Sequence, residues 1–308
     1  MKRVNHSEQL GFSLIELLVA VAIGLLILLS VSGIFLNSLF TEKTNEASSE
    51  ILTNGRYAIE VLRKEVLHAG YLGVSSTLPT IPTTNIGTVS NDCAVGFAVN
   101  FSQPVWGSND SNSVTACVPN ANYRTGDVLT MRHAALSAST VLDSTTLYLR
   151  SAYERTEVFK GNNPPVAFTQ VPNFNYAIES SLYYISPFTN DATETPLVPA
   201  LYRVSLVAGP TMTRSLVASN IEDMQIQYGR TDTAGNTRFY NANQINSAAT
   251  STEWKEVVAV RIWLLVRGTA VEPSYINTNT YVLGDKNVTV NDGFRRQVFS
   301  TVVQLRNF

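Results

Sequence analysis

Few side chains in this sequence are of the kinds that do covalent or metal chemistry, and their spacing narrows the field further. The histidines are His6, His68 and His133, scattered over the chain with no zinc-ligand cluster visible. No Gly-x-Ser-x-Gly elbow, HExxH pair or phosphate-binding loop occurs, so neither an enzyme nor a cofactor or metal protein is expected. The nearest approach to a cation loop is "RTDTAGNTRFYN", where Asp232, Asn236 and Thr231 or Thr233 surround Gly235. Calcium takes six to eight oxygens, and an ordinary hairpin turn is the better fit for 231–236. The two cysteines, Cys93 and Cys117, lie in a Gly/Ser/Asn-rich stretch. In an exported chain they predict a disulfide closing a local loop, worth about 3 kcal/mol; the alternative is two unpaired buried thiols. The residue whose placing most demands an account is Glu16. It sits near the start of "GFSLIELLVAVAIGLLILLSVSGIFL", which begins at Gly11, and a carboxylate in hydrocarbon is costly.

The element that carries Glu16 is a helix. Leu17 to Phe40 contains no charged residue, and about 24 residues suffice to span a bilayer. Lys2 and Arg3 in the leader "MKRVNHSEQLG" keep the N-terminus cytoplasmic by the positive-inside rule. No small-residue cleavage site follows the span. Instead, apolar residues recur at helical spacing at Ile51, Leu52, Ala58, Ile59, Leu62, Val66 and Ala69. One helix is therefore predicted from about Phe12 to Ala69, roughly 85 Å long. Gly70 is its C-cap, and His68 is placed where a cation suits the helix dipole.

Beyond Gly70 the chain is rich in Ser, Thr, Asn, Val and Tyr. Only 15% of all residues are charged and the formal net charge is -2, which gives no sign of a nucleic-acid partner. Short alternating runs such as "DVLTMRH", "TLYLRSAY", "SLYYISPF", "ALYRVSLVA", "MQIQYGR", "EVVAVRIWLLVRG" and "FSTVVQLRN" predict antiparallel strands. Val257 to Val266 is apolar on both faces apart from Arg261, and is expected to be a central strand covered on both sides, one cover being the helix. The fold class is α+β: a long N-terminal helix, transmembrane in its first half and amphipathic in its second, packed on the antiparallel sheets of an exported domain. Tyr183 and Tyr184 are expected to pack in a strand, and Arg295 and Arg296 to form a solvated strand entry.

Gly11, Phe12, Ser13, Leu14, Ile15 and Glu16, behind a short basic leader, resemble the class III signal of type IV pilins and pseudopilins. The resemblance implies that prepilin peptidase cuts after Gly11 and that Phe12 becomes N-methylphenylalanine. It also implies that Glu16 pairs with the terminal amine of a neighbouring subunit. "NGRYAIEVLRKEVLHAGYLG", "SNIEDMQIQYG", "VVAVRIWLLVRG" and "RRQVFSTVVQLRN" are similar to PilW-type minor pilins, with J-type pseudopilins of type II secretion as relatives. The implied organisation is leader 1–11, transmembrane and filament-core helix 12–40, amphipathic continuation 41–70, and exported pilin-like domain 71–308. The implied role is structural: pilus assembly in an initiation or tip complex. The implied location is the bacterial inner membrane, with the body periplasmic, and the pilus. Implied partners are prepilin peptidase, other minor pilins, the major pilin, the inner-membrane assembly platform and a tip adhesin. A type II secretion pseudopilin and a signal-anchored envelope binding protein are the alternatives.

Overall fold

The computed structural model describes residues 11, 13–81, 86–113, 115–166, 168–169, 171–231, 234–247, 252–273 and 275–306. Helix α1 runs over Leu14–His68. The chain forms two compact units, residues 1–48 and 49–308.

In the first unit the apolar run of α1 is uncovered. Its large side chains are exposed, from Leu14 at 78% to Leu39 at 38%. This is one helix long and apolar enough to cross a membrane. Polar side chains within it satisfy themselves: Ser30 Oγ donates to the Leu26 carbonyl and Thr41 Oγ1 to that of Asn37, as a segment without water requires.

In the second unit α1 buries Ile51, Gly55, Ala58, Leu62 and Val66, three or four residues apart on one face. A Cβ at Gly55 would lie 2.3 Å from the Phe299 ring, so the helix backbone rests directly on that side chain. The helix stops where Gly70 takes φ 79°, a left-handed conformation that favours glycine.

The larger sheet has seven strands: β1 (Val105–Ser108), β2 (Thr125–Ala134), β3 (Leu147–Ala152), β4 (Arg155–Lys160), β5 (Asn173–Ser186), β6 (Ala200–Val207) and β7 (Thr211–Ser219). Its order is β1-β2-β5-β3-β4, with β6 between β5 and β7. The long β5 serves two neighbourhoods, pairing β3 through its first residues and both β2 and β6 through its last. The second sheet comprises β8 (Ile221–Thr231), β9 (Thr237–Tyr240), β10 (Val257–Arg267) and β13 (Arg296–Gln304), in the order β13-β10-β8-β9. Strands β11 (Thr280–Leu283) and β12 (Lys286–Thr289) form a separate hairpin. All strand pairings are antiparallel, so the α+β expectation holds.

The main core joins the buried helix face to both sheets through residues such as Leu62, Val66, Leu129, Met131, Ile185, Ile226, Ile262 and Trp254. Trp254 meets Tyr228 edge-on at 4.8 Å between ring centres. Tyr183 and Tyr184 are fully buried in β5, as strand packing predicts. β10 is central, but its cover is unequal. The Val260, Ile262, Leu264 and Val266 face is buried, whereas Arg261 and Trp263 on the other face are half-buried. The β11–β12 hairpin covers only part of that second face, with Gly284 over Trp263.

Candidate functional site

The start of α1 is a reciprocal cap. The Ser13 amide donates to Glu16 Oε2 at 2.9 Å, and the Glu16 amide donates to Ser13 Oγ at 3.3 Å. This is the S-x-x-E capping box, which satisfies two of the amides that the first helical turn leaves without partners. It places a carboxylate at the positive end of the helix dipole, where negative charge is stabilised. Glu16 and Gly11 are both exposed. Phe12 and leader residues 1–10 lie outside the described residues.

Cys93 and Cys117 form a disulfide with a Cα–Cα distance of 4.3 Å. The loop it closes is braced by two charged side chains that the sequence reading did not single out. The Asp92 carboxylate accepts from the amides of Cys93, Phe97 and Ala98 at 3.0–3.2 Å. Burial raises its pKa, and those three bonds oppose the shift. Arg132, fully buried in β2, donates to the carbonyls of Phe97 and Gln103 at 2.6 Å, with its guanidinium 4.2 Å from the centre of the Phe97 ring. Burial draws the Arg132 pKa down to about 9.

A second set of charges ties the β11–β12 hairpin to both sheets. Lys286 Nζ lies 2.7 Å from Asp110 Oδ1 and 2.9 Å from Asp223 Oδ2, and donates to Thr125 Oγ1 at 2.8 Å. Beneath it, the buried Asp127 accepts from the Asp110 amide at 2.9 Å and the Ile226 amide at 2.7 Å, joining the two sheets. Burial, with the charges of Asp110 and Asp285, pushes the Asp127 carboxyl up to about 8.

One reading of the sequence is corrected here. Arg296 is not solvated: its side chain is 2% exposed and is clamped between Glu222 and Asp292 at 2.5–2.7 Å, while Arg295 pairs with Glu272. His68 lies in the last turn of α1, as expected, and burial and the nearby His133 lower its pKa. The 231–236 turn joins β8 to β9 as a hairpin, with Thr231 opposite Thr237; Asp232 and Thr233 lie outside the described residues. Among the described residues no group of three or more His, Cys, Asp or Glu is arranged to hold a metal ion. A cleft of about 660 Å³ beside the end of α1, between Tyr71, Phe101 and Tyr153, is lined by Ser75, Ser76, Lys255 and Arg306 but by no His, Cys or carboxylate.

Residues 7–32 match the prokaryotic N-terminal methylation motif, and residues 182–307 match the type IV pilus-assembly protein W family. No curated protein matches the chain. Among solved structures, a type IV-like pilin from Thermus thermophilus is similar at 12% identity and a TM-score of 0.36, covering 84% of this chain and 96% of its own. A methylation motif at one end, a pilus-assembly region at the other, and a fold of one long apolar helix with antiparallel sheets support a type IV minor pilin with a part in pilus assembly.

Proposed function

We propose that this pilin is cut by prepilin peptidase between Gly11 and Phe12, is methylated on Phe12, and enters an initiation or tip complex. There its Glu16 pairs with the terminal amine of a neighbouring subunit. Residues 12–40 are the transmembrane and filament-core helix, residues 41–70 its amphipathic continuation, and residues 71–308 the periplasmic body of an inner-membrane protein. The partners are the other minor pilins, the major pilin, the assembly platform and a tip adhesin. Pilins are structural proteins, and the role proposed here is non-catalytic.

The uncovered apolar run of α1, with a carboxylate at its start, carries this reading. So large an apolar surface needs a non-aqueous surround. Lipid and a bundle of like helices are both apolar, so transfer from one to the other exposes nothing to water. A carboxylate taken into that bundle becomes tolerable only with a positive partner.

The test is the intact mass of the chain extracted from membranes with and without prepilin peptidase. A chain starting at methylated Phe12 only when the peptidase is present is expected. Retention of residues 1–11 in both samples would move the signal-anchored binding protein to the front. Glu16→Gln keeps the capping box and removes the charge. Pilus number is expected to fall at least tenfold with the chain still inserted, and wild-type piliation would remove the pairing role.

A further inference from the structure

The terminal strand β13 is the open edge of the second sheet. Its nine pairs with β10 run from Ala259–Gln304 to Arg267–Arg296 without a register shift. Beyond the two ends, the Leu305 amide donates to the Val258 carbonyl and the Gly268 amide to the Arg295 carbonyl, both at 2.9 Å. The odd-numbered residues of β13 therefore carry the bonds to β10, because antiparallel hydrogen bonding alternates along a strand. The even-numbered Val298, Ser300, Val302 and Gln304 turn their N–H and C=O groups away from the sheet. None of those groups has a partner among the described residues. They repeat every ~6.8 Å over about 20 Å of strand.

The other edges are short or closed in part, and the nine-residue β7 carries a bulge against β6. Thr80 bonds the outer side of β4 through the Thr156 carbonyl and the Val158 amide, both at 3.0 Å. Ser90 does the same for the start of β7 through Pro210 and Met212. β1, β9, β11 and β12 have four residues each. β13 carries no proline, lysine or bulge, the usual protections of a long edge. Its Val302 is 54% exposed. On the outer face Ser300 and Val302 border a depression of about 400 Å³ shared with Arg261 and Trp263. Arg261, stacked 4.1 Å from the centre of the Phe239 ring, and Arg306, just past the strand, have no carboxylate partner among the described residues.

We propose that β13 is a docking edge that receives an extended strand from a partner pilin subunit, with a carboxylate of that strand set on the Arg261 side. Unpaired backbone groups at a two-residue repeat are matched by another strand and by little else. Arg261, without a carboxylate partner among the described residues, supplies the sign of the flanking charge. The inference rests on the pilus-assembly role and adds where a partner touches the body.

Proline at an even position tests it, since it removes an outward N–H and leaves every bond to β10 in place. Ser300→Pro is made in the full-length chain in cells, with Ser300→Thr as the control and a gene deletion alongside. Pilus number is expected to fall at least tenfold for Ser300→Pro, with the unfolding midpoint within about 3 °C of wild type, and to be normal for Ser300→Thr. Wild-type piliation with Ser300→Pro, where the deletion removes pili, overturns the edge and leaves the assembly role standing; a deletion that keeps its pili removes the role itself. If the proline variant unfolds, a photo-crosslinking residue at 300 and then at 302 decides. Joining to one segment of another pilin, two residues apart, supports the edge. Joining to this chain alone, or to no pilin segment, overturns it.

Discussion

Removing the amine at Lys286 tests how the body is held together. Its Nζ sits between Asp110 and Asp223 and also reaches Thr125. The Asp223 side chain is only 4% exposed, and without Lys286 its remaining side-chain partner among the described residues is the Gln225 amide at 3.0 Å. Breaking a fully buried ion pair costs about 3–5 kcal/mol. Here the lysine is 25% and Asp110 40% exposed, so water recovers part of that, and Lys286→Met is expected to cost about 2 kcal/mol. For a body of this size that is about 4–8 °C in unfolding temperature, read by circular dichroism of the full chain in detergent. The loss also has a pH signature. Burial already raises the Asp223 pKa, while Gln225 and Lys286 hold it down. Without the lysine it rises further, so the folded state keeps a proton that the unfolded chain has released. That raises stability as pH falls, and the deficit must shrink toward acid. Adding Asp223→Asn must recover about 1 kcal/mol, since the two residues share one interaction. A deficit below about 0.5 kcal/mol, a deficit that grows on acidification, or strict additivity would refute this account of the clasp.

Three further perturbations follow from geometry. Asp127, held at about 8 when folded, should make wild-type stability fall as pH rises from about 4 to 8. Asp127→Asn should flatten that slope, seen by denaturation at several pH values; an unchanged slope would place the proton elsewhere. Replacing Cys93 and Cys117 with alanine opens a loop with a sequence separation of 24 and should cost about 3 kcal/mol in denaturant unfolding. The body should still fold, because Asp92 and Arg132 continue to brace the loop. Gly55→Val places carbon atoms inside the Phe299 ring's space and should lower stability by about 2 kcal/mol or more, whereas the same change at Gly33, with nothing within 4 Å, should leave body stability unaltered in the same assay.

What the sequence makes readable is what repeats. The helix face at Ile51, Ala58, Leu62 and Val66 and the alternation in β2, β5, β8 and β10 are visible because one period holds over many residues. β9, β11 and β12 have four residues each and exist through their partners, so no local pattern marks them. The Lys286 clasp is invisible for another reason: Lys286 and Asp110 are 176 positions apart. Arg296 looks like a surface cation until Glu222 and Asp292 are brought around it. The Ser13–Glu16 box is the opposite case. Its S-x-x-E spacing is plain in the sequence, yet the attention Glu16 draws as an acid in an apolar run hides its bond to its own chain.

That bond bears on how growth and disassembly are balanced. A lone subunit whose Glu16 already engages its own first turn is not a half-finished object waiting to be neutralised; it is a resting state with a well of its own. In the proposed pairing, joining a filament would exchange that bond for one to a neighbour's amine, and the driving force would be the difference between the two rather than the whole of either. Such an exchange would slow spontaneous polymerisation in the membrane and would let a subunit leave again when pulled. In that role Glu16 would act as a ratchet tooth cut shallow enough to run in both directions.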